Sequence, residues 1–117
     1  MPRGRQEQGE PYRRISVQEA LDMQKEGALV VDVRRPDEWV TGHAQGAIHI
    51  PVDDFLARAE NELPKDKDLL FICAAGVRSA LAAEMAAALE YDQARLYNIE
   101  EGTPAWIQAK LPTEKGK

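Results

Sequence analysis

The sequence predicts a single α/β domain with a mostly parallel sheet of about five strands and helices on both faces. Three observations predict it. Short apolar runs rich in β-branched residues recur along the chain, stretches of helical spacing alternate with them, and the connections run to about a dozen residues, as parallel crossovers require. A chain of 117 residues fits one such domain and excludes a second of ordinary size.

The first 13 residues, MPRGRQEQGEPYR, have no apolar period and predict a flexible arm, so the domain is expected over residues 14–112 and a flexible tail over 113–117. Ser16 and Glu19 have capping-box spacing, and Val17, Ala20, Leu21 and Gln24 follow at helical intervals up to Gly27, which predicts a helix over 17–26. Ala28 to Val33 is a continuous apolar run up to Asp32 and reads as a strand covered on both faces. Pro36-Asp37-Glu38-Trp39 reads as one helical turn, since Pro suits a first helical position and acids suit a helix start.

Ala47 to Ile50 is a second short strand, stopped by Pro51. A helix beginning at Asp53 or Asp54 is expected to carry Phe55, Leu56, Ala59 and Leu63 on one face, before the solvated turn Pro64 to Asp68. Leu69 to Cys73 is the most apolar strand candidate, and it runs into an Ala-rich helix over 78–89 whose small side chains permit close packing on the sheet. Ala94 to Ile99 is a last strand, and Thr103-Pro104 is expected to cap a final helix through Lys110.

Composition excludes several function classes. Fifteen Lys and Arg against 20 Asp and Glu give a net charge of −5, which argues against a general nucleic-acid binder. No apolar run approaches the roughly 18 residues of a membrane span, and the polar start has no signal-peptide core, so a cytoplasmic protein with no membrane partner is expected. The lone cysteine, Cys73, can form no internal disulfide and no multi-thiolate metal site, which predicts a reducing compartment and no bound metal.

Cys73 nevertheless stands where ligands gather in open α/β sheets, at the carboxyl end of a strand and before a helix. Unpaired N–H groups and the positive dipole end of that helix lower a thiol pKa from about 8.5 into the range of roughly 3.5 to 7.5. The loop Cys73-Ala74-Ala75-Gly76-Val77-Arg78-Ser79 is built of small residues whose amides can turn inward as an anion cradle, closed by a fixed charge at Arg78. The competing reading is a buried structural cysteine; strand end, small loop, Arg and helix start in one stretch outweigh it.

These residues resemble the rhodanese-like sulfurtransferases in their single-domain form, over about Ile15 to Pro112. Four motifs carry the resemblance in order. They are Val30-Val31-Asp32-Val33-Arg34 with Pro36-Asp37-Glu38-Trp39, Gly42-His43-Ala44-Gln45-Gly46-Ala47-Ile48-His49-Ile50-Pro51, the Cys73 to Ser79 loop, and Asn98-Ile99-Glu100-Glu101-Gly102 leading to Ala105-Trp106. The resemblance implies a three-layer fold, no cofactor, and a sulfane sulfur accepted on Cys73 as a persulfide. It implies a small donor such as thiosulfate or a persulfide, and a thiol or protein acceptor. Ala74, Ala75, Gly76, Val77, Arg78 and Ser79 are then expected to bind the donor. Where the family usually has Pro and Gly, this chain has Gln45 and Glu101, and the latter places a carboxylate in a loop expected at the site rim. Members adept with thiosulfate often carry further cations in the cysteine loop; this loop carries none at Ala74, Ala75 or Val77.

Other marked residues have plainer readings. Arg34 either reaches the cysteine pocket or pairs with Asp32, which is read as fixing loops. His43 is expected to tie a loop to backbone rather than act as a base, and His49 to do neither. Trp39 and Trp106 are expected to pack, and Asp37-Glu38 and Glu100-Glu101 to be solvated. A cysteine-based phosphatase or arsenate reductase is the nearest enzymatic alternative, but its signature has His before the Cys and five residues before the Arg. Here Ile72 precedes Cys73 and four residues intervene. A non-catalytic binding or regulatory module is the remaining alternative, and members of that kind typically lack the loop cysteine.

Overall fold

The structure, a computed structural model, describes residues 3–116. Its main sheet has five parallel strands in the order β1-β6-β5-β2-β4, where β1 is Arg13–Ile15, β2 Leu29–Asp32, β4 Ile48–His49, β5 Leu69–Ile72 and β6 Leu96–Ile99. A two-stranded antiparallel ladder joins β3 (His43–Ala44) to β7 (Thr113–Glu114).

Because side chains alternate across a strand, β5 serves two cores at once. Leu69, Phe71 and Cys73 face one cluster with Phe55, Ala59 and Leu63, and with Ala82, Ala83 and Ala86. These come from α3 (Phe55–Glu62), the segment that follows it, and α4 (Val77–Ala88). Leu70 and Ile72 face the other, with Ala20, Leu21 and Met23 of α1 (Val17–Lys25) and Trp106 of α5 (Gly102–Gln108). Double coverage is why β5 reads as unbroken apolar sequence.

The capping box of α1 is formed, with the Glu19 amide donating to Ser16 Oγ at 3.1 Å and the Ser16 amide to Glu19 Oε1 at 2.9 Å. The single turn α2 (Pro36–Trp39) is also as expected. Three expectations need correcting. Leu56 is exposed rather than on the buried face of α3, because Phe55 and Ala59 point into the core and Leu56 stands about 100° round the helix from Phe55. Thr103 lies inside α5 and caps nothing; its amide donates to the Cys73 carbonyl at 2.8 Å. The strand Arg13–Ile15 falls partly within the expected arm, and the chain before it folds back, with Arg5 and Arg14 exchanging backbone hydrogen bonds and Tyr12 buried. Residues 1 and 2 of that arm, and Lys117 of the expected tail, lie outside the described residues, while Thr113 and Glu114 of the tail form β7.

Candidate active site

Cys73 ends the central strand, and the chain turns there through Ala74-Ala75-Gly76 into α4. Gly76 makes the turn possible: its φ is +86°, and a Cβ would stand 2.7 Å from the Glu100 carbonyl oxygen. The turn aims the Gly76 amide at Cys73 Sγ, 3.1 Å away. On the far side of the loop, a Cβ on Gly102 would collide with the carbonyl oxygens of Ala74 and Cys73, so α5 starts against the loop only because this residue is glycine.

The thiol is 1% exposed. Burial pushes its pKa up; a Ser79 hydroxyl pulls it down when its proton is turned to the sulfur, and hydrogen bonds from the backbone of Ser79, Ala75 and Gly76 pull it down as well. The net effect is lowered from the ordinary thiol value. Ser79 Oγ lies 3.3 Å from Sγ, and Ser79 is itself fully buried in the first turn of α4.

The Arg78 guanidinium is engaged by a carboxylate. It makes a two-pronged bond to Glu38 of α2, at 2.6 and 2.9 Å. Glu38, expected to be solvated, is instead the partner that orients Arg78, and the guanidinium holds its carboxyl down at about 2. Asp37 beside it is exposed, as expected. Arg34 is also tied up: it is buried, donates to both Asp32 carboxylate oxygens, and reaches the Gly42 carbonyl at 2.6 Å. Asp32 accepts the Arg34 amide as well, so this pair fixes the β2 exit.

Two clefts flank the loop. One, of about 510 Å³, is lined by Arg34, Glu38, Ala74, Thr103, Pro104 and Ile107 among others. The other, of about 690 Å³, is bordered by Ala75, Gly76 and Val77, by Leu81 and Glu84 of α4, by Arg14 of β1 and by Arg5 from the folded-back segment. Glu101 borders it too, but its carboxylate accepts the Val17 amide at 2.9 Å and thereby caps α1. Glu100 pairs with Arg5 at 2.9 Å, so the acids of this turn are engaged rather than merely solvated.

His43 and His49 carry no sign of a catalytic role. Each binds a backbone carbonyl at 2.8 Å, that of Trp39 and that of Arg34 respectively, so His49, expected to make no such tie, makes one because the Arg34 carbonyl lies within its reach; both rings stack on Trp39. Trp106 is fully buried and donates to the Pro112 carbonyl. Among the described residues no three His, Cys, Asp or Glu side chains converge as a metal site, and no helix is long and apolar enough to cross a membrane.

Sequence reasoning missed Asn98. Its side chain bridges Ser79 and the Gly76 carbonyl from β6. The available signal was a carboxamide inside the run Leu96-Tyr97-Asn98-Ile99, since a buried polar side chain in a covered strand must find partners.

The profile of the family described as the rhodanese-like domain matches residues 16–109. A relative from Pseudomonas entomophila, thiosulfate sulfurtransferase GlpE, is 34% identical over 98 residues, covering 81% of this chain and 84% of its own. Among solved structures, a rhodanese-related protein from Thermoplasma volcanium superposes with a TM-score of 0.75 at 31% identity, covering 88% of this chain and 98% of that one. A Rhodopseudomonas palustris protein of unknown function, described as a possible tyrosine phosphatase, gives a TM-score of 0.77 at 28% identity over 88% of this chain and 85% of that one. A family match over most of the chain, a relative of similar length and a shared parallel sheet agree: this chain belongs to the rhodanese-like family.

Proposed function

We propose that the protein is a sulfurtransferase that carries a sulfane sulfur as a persulfide on Cys73. The observation that supports it most is the setting of the thiol, buried at the sheet's carboxyl edge with the Gly76 amide 3.1 Å from Sγ and a lowered pKa. The Cys73 thiolate attacks the outer sulfur of the donor, a new S–S bond forms, and the old one breaks with its electron pair leaving on the departing group, sulfite in the case of thiosulfate. An acceptor nucleophile then takes the outer sulfur and returns Cys73 as thiolate. Inward-turned amides favour the anionic sulfur at both stages.

Arg78 contributes a partly compensated charge at the loop's edge, and the Asp32–Arg34 pair holds the wall of one cleft. Thiosulfate is the donor named for the Pseudomonas entomophila relative; a persulfide donor suits this less cationic loop equally. On the acceptor side, Val77 is 75% exposed and Leu81 44%, giving the loop an apolar rim that a protein or small dithiol can approach. With no second cysteine in the chain, the sulfur must leave to an external acceptor. A free nucleophilic thiol also fits a reducing compartment such as the cytoplasm.

The likeness to a possible tyrosine phosphatase makes phosphoryl chemistry the second reading. Four residues between Cys73 and Arg78, with Arg78 turned to Glu38, leave a cradle suited to one sulfur atom rather than a tetrahedral oxyanion. Cys73→Ser should abolish thiocyanate formation from cyanide, and wild-type protein recovered without reductant should carry one extra sulfur on Cys73. Residual transfer above a few per cent in the variant, or aryl phosphate hydrolysis that vanishes with it, would overturn the assignment.

A further inference from the structure

Four buried groups around the thiol close a ring. The Gly76 amide donates to Cys73 Sγ at 3.1 Å, and the Gly76 carbonyl accepts from Asn98 Nδ2 at 3.1 Å. Asn98 Oδ1 accepts from the Ser79 hydroxyl at 2.6 Å, and Ser79 Oγ returns to Sγ at 3.3 Å. Cys73, Ser79 and Asn98 are all at most 3% exposed, so water does not substitute for a missing partner.

The direction of the protons in this ring is fixed by chemistry. A carbonyl oxygen can only accept, so the Gly76 carbonyl requires the NH₂ end of Asn98, and the carboxamide oxygen must therefore face Ser79. A hydroxyl has one proton, and in this ring it is committed to Asn98. Ser79 then presents a lone pair to the sulfur and accepts from the thiol S–H. When Cys73 loses that proton, lone pairs face each other unless the hydroxyl rotates to the thiolate. That rotation breaks the 2.6 Å bond and leaves Asn98 Oδ1 buried without a donor.

We propose that Asn98 is a positioning residue that restrains ionisation of Cys73 by holding the Ser79 proton away from the sulfur. The loop amides favour the thiolate and the Asn98–Ser79 arm opposes it. In the persulfide the charge sits on the outer sulfur, one bond beyond the ring, so the restraint falls on the empty thiolate and not on the loaded enzyme. This rests on Cys73 as the sulfur carrier. The charged groups around the loop are internally paired: Arg78 with Glu38, Arg34 with Asp32, and Glu100 with Arg5 and Arg14, while Glu101 holds the Val17 amide and Glu84 lines the outer cleft. None of these pairs is altered by the substitutions below.

The test reads the Cys73 thiol pKa from the pH dependence of iodoacetamide alkylation of the full chain, which needs no sulfur transfer. If Cys73 proves not to carry sulfur, the persulfide and thiocyanate experiments fail while this titration still reports on the ring. Asn98→Leu, close in shape, frees the Ser79 hydroxyl to donate to the thiolate and should lower the pKa by about one unit, or about tenfold more thiolate below it. Ser79→Ala removes an acceptor rather than a donor and should leave the pKa unchanged or lower. In the Ser79→Ala background, Asn98→Leu should have no further effect. A rise of about one unit in Ser79→Ala would show that the hydroxyl already donates to sulfur and would overturn the proposal. So would an unshifted pKa in folded Asn98→Leu. Should Asn98→Leu fail to fold, the Ser79→Ala titration decides alone.

Discussion

Glu38 should govern how much of the Arg78 charge an anionic donor feels. The carboxylate grips both terminal nitrogens of the guanidinium at 2.6 and 2.9 Å, so the Arg78 charge beside the cysteine loop is already partly neutralised. Glu38→Gln keeps an oxygen that can accept from Arg78 and from the Arg35 amide, but deletes the negative charge. The two side chains are 28% and 22% exposed, which places them between surface and interior. A unit charge about 6 Å from an anion is worth roughly 1.4 kcal/mol at an effective dielectric of about 40. Because the native neutralisation is partial, kcat/KM for thiosulfate should rise by about three- to tenfold, measured as thiocyanate formed at saturating cyanide. The gain should shrink as salt is raised, since the screening length falls from about 10 Å at 0.1 M to about 3 Å at 1 M. It should persist in the Arg78→Ala background, where the unpaired Glu38 carboxylate still repels an anionic donor. A folded Glu38→Gln protein with unchanged or lower kcat/KM, or with a gain that does not shrink in salt, would refute this account of the pair.

Arg78→Ala alone should lower donor use by roughly 1.5 to 3 kcal/mol, with Arg78→Lys recovering only part, in steady-state assays. Gly76→Ala must place a Cβ at a φ of +86° and 2.7 Å from the Glu100 carbonyl, so it should cost about 2 kcal/mol or more in urea unfolding and raise the Cys73 pKa by displacing its amide donor. Acid should loosen the α2–α4 contact in a defined window. The Glu38 pKa is depressed on folding to about 2 from 4.5, so its stabilisation is complete above about pH 4.5 and is lost as pH falls towards 2; Glu38→Gln should flatten that part of the stability curve. Dithiols should discharge the Cys73 persulfide faster than cyanide at equal concentration, followed as loss of persulfide absorbance in a single turnover; an equal or slower rate counts against a thiol acceptor.

What the sequence determines on its own is local. The run Leu69 to Cys73 is apolar on both alternating faces, so it had to be a covered strand, and small residues with Gly76 ahead of an Ala-rich helix had to turn the chain just beyond the cysteine. The capping box at Ser16 and Glu19 and the Pro36 turn are equally local, because each lies within one helical turn of chain. Tertiary structure alone decides the rest. The strand Arg13–Ile15 has three residues and carries two arginines; it becomes a strand because β6 offers it a free edge. Thr113 and Glu114 pair with His43 and Ala44 for the same reason. Arg78 and Glu38 are forty residues apart, and a charge run in sequence does not say which opposite charge the fold will bring near. Asn98 lies on β6 and Ser79 on α4, and only the packing of that helix on that strand turns two unremarkable polar residues into partners of the thiol. Spacing along a chain fixes what neighbours in sequence do to one another; contacts closed by the fold follow from the whole set of packed faces, which no single stretch encodes.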